Sequence, residues 1–335
     1  MAEIDRKILA GLAKRRSLYQ ANPLCACRLF NGFYEEMPEI SLDLFARTLV
    51  IQYYGKTENP DPEFFDSLIS EVQSEIPDLQ CVLLKSRFST DLEKRKGSLL
   101  KGKEPDSLIK EWGISYQIDL RLNQDTGFYL DSALLRKWLI NNCMGKKVLN
   151  TFAYTGSLSV AAMIGGAAEV VQTDSNAGFL SQTRNSMAAN YLDDDKLKDI
   201  SGDFFHVISE MRRENRLFDL IILDPPVYSK TRGGIVDIQK NYPSLINKVR
   251  PLVADGGKII AINNAVYLSG ADFISQLNQT FQDGYVQSGE AIPVPSSFYG
   301  SMAVNEKLPA DPAPFNHSTK ILQLEITRKD GQKAG

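Results

Sequence analysis

Five short apolar runs, separated by segments with helical spacing, dominate the sequence after residue 146. The runs are KKVLNTFA, AEVVQTD, FDLIILD, GGKIIAIN and KILQLEIT, at 146–153, 168–174, 218–224, 256–263 and 320–327. Runs of this length and apolar density predict strands that are buried on both faces. Because helical segments separate them, they predict a parallel sheet covered on both sides. The expected fold class is therefore α/β, with a doubly wound, Rossmann-like sheet.

The first third of the chain has a different pattern. Residues 1–20 place apolar side chains at helical spacing among basic ones, which predicts a basic amphipathic helix. Residues 21–115 contain short β-rich runs and one helical segment, which predicts a small α+β domain. Within it, segment 89–106 is rich in Lys, Gly and Ser, lacks apolar periodicity and is expected to be a loop. The third predicted domain is the doubly wound one, over 116–335.

Composition argues against several classes of protein. The 335 residues are 43% hydrophobic and 24% charged, which is typical of soluble globular proteins. No apolar run approaches the roughly 20 residues of a membrane helix, and the N-terminus lacks the apolar segment of a signal peptide. Four scattered cysteines do not suit a disulfide framework, and two histidines do not suit a histidine-rich metal site. We therefore expect a cytoplasmic protein with no metal centre and no membrane contact.

Basic residues are concentrated in the first third of the chain, although the net charge is −3. Residues 85–110 contain eight Lys or Arg against four Asp or Glu, and residues 1–17 contain five against two. A local excess of this kind suits a polyanionic partner such as RNA. On charge alone, a solvated charged surface explains the pattern equally well.

Ligands of doubly wound sheets bind beyond the carboxyl ends of the strands, where the strand order reverses. Gly156 opens a helix after the first strand, but the triple-glycine pattern of a pyrophosphate loop is absent, and a plain strand–helix turn explains one glycine as well. Asp174 ends the second strand, where a carboxylate accepts hydrogen bonds from both hydroxyls of a ribose. The carboxylate of Asp203 and the ring of Phe204 suit an adenine. These residue types together indicate a nucleoside-containing cofactor.

The segment Leu223-Asp224-Pro225-Pro226-Val-Tyr228 is the sharpest single feature of the sequence. Two consecutive prolines stop the strand abruptly, because proline fixes φ and has no amide hydrogen. We expect the carbonyl groups there to stay unpaired and to face the crevice with the Asp224 carboxylate. Such acceptors suit the amino or imino edge of a planar base, with Tyr228 against its face. An ordinary rigid turn is the alternative explanation.

With these motifs the sequence resembles the class I S-adenosylmethionine-dependent RNA base methyltransferases, and more narrowly the 23S rRNA methyltransferases of the large-subunit I and K types. CRLFNGFYEEMPEISLDLFARTLVIQYY resembles the entry segment of their central domain, and NQDTGFYLDSALLR is similar to their junction motif. NTFAYTGS and LDPPVYSK resemble their first and fourth methyltransferase motifs. The likeness extends over almost the whole chain. It implies S-adenosylmethionine as the cofactor and RNA, specifically 23S rRNA, as the substrate.

The resemblance also implies roles for individual positions. The cofactor-binding residues that it implies are Phe128, Leu130, Asp131, Asn150, Phe152, Tyr154, Gly156, Asp174, Ser175, Asp203 and Phe204. In this assignment residues 128–131 contact the methionine end, Asp174 binds the ribose and Asp203 the adenine. The catalytic residues that it implies, at the reacting edge of the base, are Asp224, Pro225, Pro226, Tyr228 and Asn263.

Two departures from the type I enzymes bear on the chemistry. A short basic helix stands where type I members have an N-terminal RNA-binding PUA module. The strand over 256–263 ends in Asn263-Asn264, where the type I 5-methylcytosine enzymes have a cysteine. Carbon methylation of cytosine needs a thiolate that adds to C6, whereas guanine N7 has an in-plane lone pair and needs alignment alone. The Asn263-Asn264 pair resembles the corresponding stretch of the type K guanine-N7 methyltransferases. The resemblance implies a guanine nitrogen as the target, with N7 favoured, N2 a further option and 5-methylcytosine formation the alternative.

Two alternatives belong to other functional classes. A non-catalytic RNA-binding or ribosome-assembly protein would keep the fold, although every cofactor position here has a competent residue. A nicotinamide-dependent dehydrogenase would also use the acid at the strand end, but the glycine triplet that it needs is missing. His317, just before the last strand, is a further candidate to face the substrate. The target nucleotide and the choice between a monomer and a homodimer are left open by the sequence.

Overall fold

The computed structural model describes residues 2–56, 62–299 and 310–334, with side chains from residue 6 onward. The described residues divide into two compact units. Unit 1 contains residues 2–131 and also the short segment 295–299, and unit 2 contains residues 132–294 and 310–334. The boundary between the units lies at residue 131, whereas the sequence predicts a domain boundary at residue 115. Residues 116–131 therefore belong to unit 1 and not to the doubly wound unit. Nothing in the sequence predicts that residues 295–299 belong to unit 1.

Unit 1 is a mixed sheet with helices. Its elements are α1 (Ala2–Gln20), β1 (Ala26–Asn31), β2 (Ile40–Phe45), β3 (Thr48–Tyr53), α2 (Pro62–Glu75), β4 (Cys81–Ser86), α3 (Leu92–Lys96), β5 (Ser98–Lys101), β6 (Leu108–Glu111) and β7 (Ile114–Gln117). Strands β1 to β5 lie in sheet order, with β3 and β4 parallel and the other pairs antiparallel, while β6 and β7 form a separate hairpin. Ile8 and Leu12 of α1 are fully buried in its apolar core, because the predicted helix turns its apolar side to the sheet.

The prediction of a loop over 89–106 is wrong, because this segment contains α3 and β5. The Asp91 side chain caps α3 by accepting a hydrogen bond from the Glu93 amide at 2.9 Å. Gly97 ends the helix with a φ of +128°, a conformation that favours glycine. Both elements leave most side chains exposed or partly exposed, so no apolar periodicity marks them in the sequence.

Unit 2 confirms the expected doubly wound α/β fold. Its elements are α4 (Ala133–Asn142), β8 (Lys147–Thr151), α5 (Ser157–Ile164), β9 (Glu169–Asp174), α6 (Ala177–Ala188), β10 (Leu197–Ser201), α7 (Phe204–Arg213), β11 (Phe218–Leu223), β12 (Tyr228–Lys230), β13 (Ile235–Asp237), α8 (Tyr242–Val249), β14 (Val253–Asn263), α9 (Gly270–Phe281), β15 (Val286–Ala291) and β16 (Lys320–Ile326). Seven strands form one sheet in the order β10-β9-β8-β11-β14-β16-β15, and β12 and β13 form a hairpin. β16 is antiparallel to both of its neighbours, β14 and β15, while the other described strands of this sheet run parallel to one another. The expectation of a parallel sheet is therefore wrong for the run 320–327.

The strand register brings the ends of four strands to one edge of the sheet. Thr151 of β8 is opposite Thr173 of β9 on one side and Leu223 of β11 on the other. Leu223 is in turn opposite Ala261 of β14. The strand order reverses at β8, so a crevice is expected here. No helix among the described residues is long and apolar enough to cross a membrane.

Candidate functional site

The loop between β8 and α5 has a constrained backbone. Phe152, Tyr154 and Gly156 have φ values of +55°, +54° and +76°, in the left-handed region that residues other than glycine rarely adopt. A Cβ at Gly156 would lie 1.9 Å from Thr183 Oγ1, so only glycine fits there. Backbone strain of this kind persists where the surrounding structure imposes it, which is common at ligand-binding loops.

Asp174 fixes this loop from the neighbouring strand. Its Oδ2 accepts a hydrogen bond from the Tyr154 amide at 3.0 Å, and its Oδ1 accepts one from the Asn176 amide at 3.0 Å. The side chain is half-buried, and Ser175 next to it is exposed. Since each carboxylate oxygen has two lone pairs, both oxygens keep acceptor capacity for a diol. Asp174 thus combines a structural contact with a position open to a ligand.

Asp203 lies at the start of α7, just after β10. Its Oδ1 caps the helix by accepting hydrogen bonds from the amides of Phe205 at 3.0 Å and His206 at 3.2 Å. Its Oδ2 is buried without a hydrogen-bond partner, which is costly unless a ligand or water satisfies it. Phe204 stacks on Phe152 with ring centroids 4.6 Å apart, which joins the ends of β8 and β10.

A cavity of about 500 Å³ lies beside Asp203. Its lining residues are Ser175, Gly202, Asp203, His206, Thr231, Arg232 and Gly233. Its volume is in the range of small-molecule sites in proteins. The predicted adenine residue Asp203 and Ser175, the neighbour of Asp174, thus line one cavity within unit 2.

Asn150 and Asn263 are buried in the structure. The Asn150 amide donates to Ser159 Oγ at 2.9 Å, beneath the loop that follows β8. The Asn263 amide donates to the Ile238 carbonyl at 2.9 Å, and its Oδ1 accepts from the Ala265 amide at 3.0 Å. The Asn263 side chain therefore holds backbone groups after β13 and β14, whereas the Asn150 Oδ1 is buried without a hydrogen-bond partner. The predicted ligand contacts of both residues stay predictions.

The Asp-Pro-Pro segment differs from its expected geometry at one group. The Leu223 carbonyl is not unpaired, because the Tyr242 hydroxyl donates to it at 2.9 Å. Burial, together with the nearby Asp224 charge, raises the pKa of Tyr242 well above its usual range, so this phenol stays a donor. Asp224 is partly exposed, Pro225 is buried and Pro226 is exposed. Sequence reasoning missed Tyr242. The one sequence feature that marks it is its position just before Pro243, at the start of a helix.

Tyr228 begins β12, and its side chain is 59% exposed. The hairpin that it opens was not anticipated, because β12 and β13 have three residues each.

Three of the predicted cofactor residues, Phe128, Leu130 and Asp131, belong to unit 1. There Phe128 packs on Tyr116 with ring centroids 5.0 Å apart, and Leu130 is buried. Their roles toward a cofactor stay predictions.

His317 is buried, and its Nδ1 accepts a hydrogen bond from the Thr319 amide at 3.0 Å. This bond fixes the turn that leads into β16. It gives the ring a structural contact of its own, so the sequence hypothesis of a substrate-facing histidine gains no support here.

All four cysteines are buried free thiols. Cys143 is the cysteine of unit 2 and follows α4, at the opposite edge of the sheet from the candidate site. Burial raises the pKa of Cys143 to about 12, which disfavours the thiolate that a nucleophile needs. Cys81 of unit 1 is similar, since burial raises its pKa to about 11.

Comparisons with known proteins show which family this chain resembles. Residues 81–287 match the model of a family described as S-adenosylmethionine-dependent methyltransferase. YwbD of Bacillus subtilis (strain 168), named a putative ribosomal RNA large subunit methyltransferase, is 31% identical over 83% of this chain and 70% of its own length. Ribosomal RNA large subunit methyltransferase I of Shewanella amazonensis is 29% identical over 77% of this chain. The chain spans 65% of that second relative, slightly less than two thirds.

A solved structure is similar over nearly the whole chain. The crystal structure of SMU.776 complexed with SAH superposes with a TM-score of 0.85 and 25% identity, over 97% of this chain and 81% of that one. The residues of unit 2 fit the corresponding cofactor. The unpartnered Asp203 Oδ2 suits the amino group of an adenine, and the Asp174 carboxylate suits a ribose diol.

Proposed function

We propose that this chain, which belongs to the S-adenosylmethionine-dependent methyltransferase family, methylates a base of large-subunit ribosomal RNA at a guanine nitrogen, with N7 favoured. The substrate class is supported by the names of the relatives, which are ribosomal RNA large subunit methyltransferases. The observation that supports nitrogen as the acceptor is the chemistry at the carboxyl edge of the sheet. Cys143, the cysteine of unit 2, precedes β8 and does not lie at that edge, and Asn263 stands at the end of β14. An rRNA substrate implies that the enzyme acts in the cytoplasm.

The proposed mechanism divides the work between two groups of residues. S-adenosylmethionine, when bound, supplies an electrophilic methyl group. Asp174 and Asp203 bind its ribose and adenine, while Asp224, the Pro225 carbonyl and Tyr228 align the base. Because guanine N7 has a lone pair and no proton, its methylation requires neither a general base nor a nucleophile from the protein. Positioning is therefore the main contribution of this chain.

The chemistry predicts that turnover does not depend on cysteine. A variant with Cys25, Cys27, Cys81 and Cys143 all changed to Ala is expected to keep most of its turnover, because no thiolate takes part. Digesting the methylated rRNA and identifying the nucleoside by mass spectrometry is expected to give a methylguanosine. Thermal unfolding of the variant is the control, since losing buried thiols lowers stability.

Two results would contradict this proposal. One is 5-methylcytidine as the product, and the other is a covalent complex between the wild-type enzyme and RNA that contains 5-fluorocytidine. Either would assign the protein to carbon methylation through a thiolate.

The basic segment of unit 1 is the proposed contact with RNA phosphates. Lys94, Arg95 and Lys96 lie on α3, and Lys101 lies on β5. Changing Lys94, Arg95 and Lys96 to Ala is expected to weaken RNA binding and to flatten its salt dependence. Each lost single-strand phosphate contact is expected to reduce the slope of log K against log salt by about 0.7. Filter binding over a salt series measures this slope.

The control for this prediction is a variant in another basic helix. Arg212 and Arg213, in the last turn of α7, are changed to Ala. Equal salt slopes for the α3 variant and the wild-type protein would show that α3 is a solvated surface and contacts no phosphate.

A further inference from the structure

Exposed apolar side chains of unit 2 are concentrated beside the candidate site. Among its described residues the large exposed ones are Met144, Tyr191, Val227, Tyr228, Ile235, Val266 and Tyr267. Five of these seven follow β11 or β14, the two neighbouring strands whose carboxyl ends border the proposed base site. Exposed apolar patches of this kind mark interaction surfaces more often than single scattered side chains do.

The loop after β14 presents Tyr267 rigidly. Ala265 and Leu268 on either side of it are buried, and Tyr267 itself is 78% exposed. The Lys320 ammonium group donates to the carbonyls of Ala265 and Leu268, each at 3.0 Å. The Ala265 amide donates in turn to Asn263 Oδ1. With its neighbours fixed in this way, the tyrosine ring projects outward at little further cost in backbone entropy.

The hairpin of β12 and β13 is also fixed and lies next to this loop. A Cβ at Gly233 would lie 2.1 Å from Asp203 Oδ1, and one at Gly234 would lie 2.7 Å from the Phe205 ring. The hairpin tip thus packs closely on the start of α7. At the hairpin's other end, the Ile238 carbonyl accepts the hydrogen bond from Asn263. This bond connects the hairpin directly with the loop that presents Tyr267.

The tip of the hairpin, which packs on the start of α7, carries two cations. Lys230 and Arg232 are exposed, and Arg232 also lines the cavity beside Asp203. On β13, Asp237 is the strand partner of Tyr228, and its Oδ2 lies 3.9 Å from Lys240 Nζ. Exposed aromatic rings beside cations are the combination that binds single-stranded nucleic acids, since the rings stack on bases and the cations contact phosphates.

We propose that Tyr267 stacks on an unpaired nucleotide beside the target base, and that Lys230 and Arg232, at the end of the hairpin away from Asn263, bind phosphates further along the same RNA strand. This inference rests on the proposed RNA substrate. It adds that the protein also recognises the nucleotide next to the target base. A base that is methylated at an edge must leave its stack, and a ring that replaces a stacking partner lowers the cost of doing so. The expected substrate is therefore single-stranded or unstacked at this position.

The test compares binding of a short fluorescein-labelled single-stranded oligoribonucleotide by fluorescence anisotropy. Tyr267→Ala is expected to weaken binding by about 5- to 150-fold, the range for one lost base stack. Tyr267→Phe keeps the ring and is expected to bind like wild type. Lys230→Ala with Arg232→Ala is expected to reduce the salt slope by about 1.4, or about 0.7 per contact. The matched control is Tyr191→Ala, which removes a 99% exposed tyrosine outside this surface.

Each outcome decides between the inference and the proposed function. Equal affinities for Tyr267→Ala and Tyr191→Ala would overturn the inference, as would a loss in Tyr267→Phe as large as in Tyr267→Ala. Methyl incorporation into rRNA separates the two proposals. If wild type and Tyr267→Ala methylate rRNA and bind the oligonucleotide equally well, the surface has another occupant, such as a protein, while the proposed function stands. If wild type neither methylates rRNA nor binds the oligonucleotide, both proposals fail.

Discussion

Asp224→Ala is expected to reduce turnover at least about 100-fold, because it removes the carboxylate that we propose aligns the base at the end of β11. A misplacement of about 1 Å in the reacting geometry is enough for a loss of that size. The affinity for S-adenosylmethionine is expected to change by less than about 3-fold, or under about 0.7 kcal/mol, since the ribose and adenine contacts are assigned to other strands. Single-turnover methylation of rRNA and calorimetry with the cofactor measure the two quantities separately.

The design of this experiment has to separate alignment from stability. Asp224 contributes to the electrostatic surroundings of Tyr242, whose hydroxyl holds the Leu223 carbonyl. Asp224→Asn keeps the size and one acceptor oxygen, so we expect turnover between those of wild type and Asp224→Ala. The exposed Asp195→Ala variant is the control and is expected to behave like wild type. Full turnover in Asp224→Ala would remove this residue from the proposed mechanism.

Five of the seven strands in the main sheet of unit 2 could be predicted from sequence, because their burial leaves a continuous apolar run. Strands β10 and β15 were missed, because most of their side chains are exposed or partly exposed. The predicted run 218–224 and the observed Phe218–Leu223 differ by one residue. The hairpin of β12 and β13 was missed because strands of three residues, partly exposed, leave no periodic pattern. For the same reason α3, with no buried residue, was predicted as loop.

The sequence predicts which residues follow the ends of the strands, but not the direction of their side chains. Asp174 and Asp203 end or follow strands, and the carboxyl edge of a doubly wound sheet brings such ends together. Whether a side chain there faces a ligand or the core depends on tertiary contacts that a single sequence does not contain. Asn263 was expected at the reacting edge, yet its amide is taken by Ile238, a residue of a distant loop. Tyr242 and its contact with Leu223 were missed for the same reason.

Asp174→Ala is expected to weaken S-adenosylmethionine binding by about 10- to 150-fold, measured by calorimetry. A charge-assisted hydrogen-bond contact with a ribose diol contributes about 1.5–3 kcal/mol, which converts to that range. Part of the loss arises within the protein, because Asp174 also accepts hydrogen bonds from the amides of Tyr154 and Asn176.

Two further variants separate the direct contact from this indirect effect. Asp174→Asn keeps one acceptor oxygen for the loop amides but loses the charge, so its cofactor affinity is expected between those of wild type and Asp174→Ala. Asp195→Ala removes an exposed carboxylate in the loop before β10 and is expected to leave the affinity unchanged. If Asp174→Ala binds the cofactor as tightly as wild type while its circular dichroism shows an intact fold, the ribose does not bind at the end of β9. In that case the cofactor would have to be placed along the sheet edge by Asp203 and the strained loop after β8 alone.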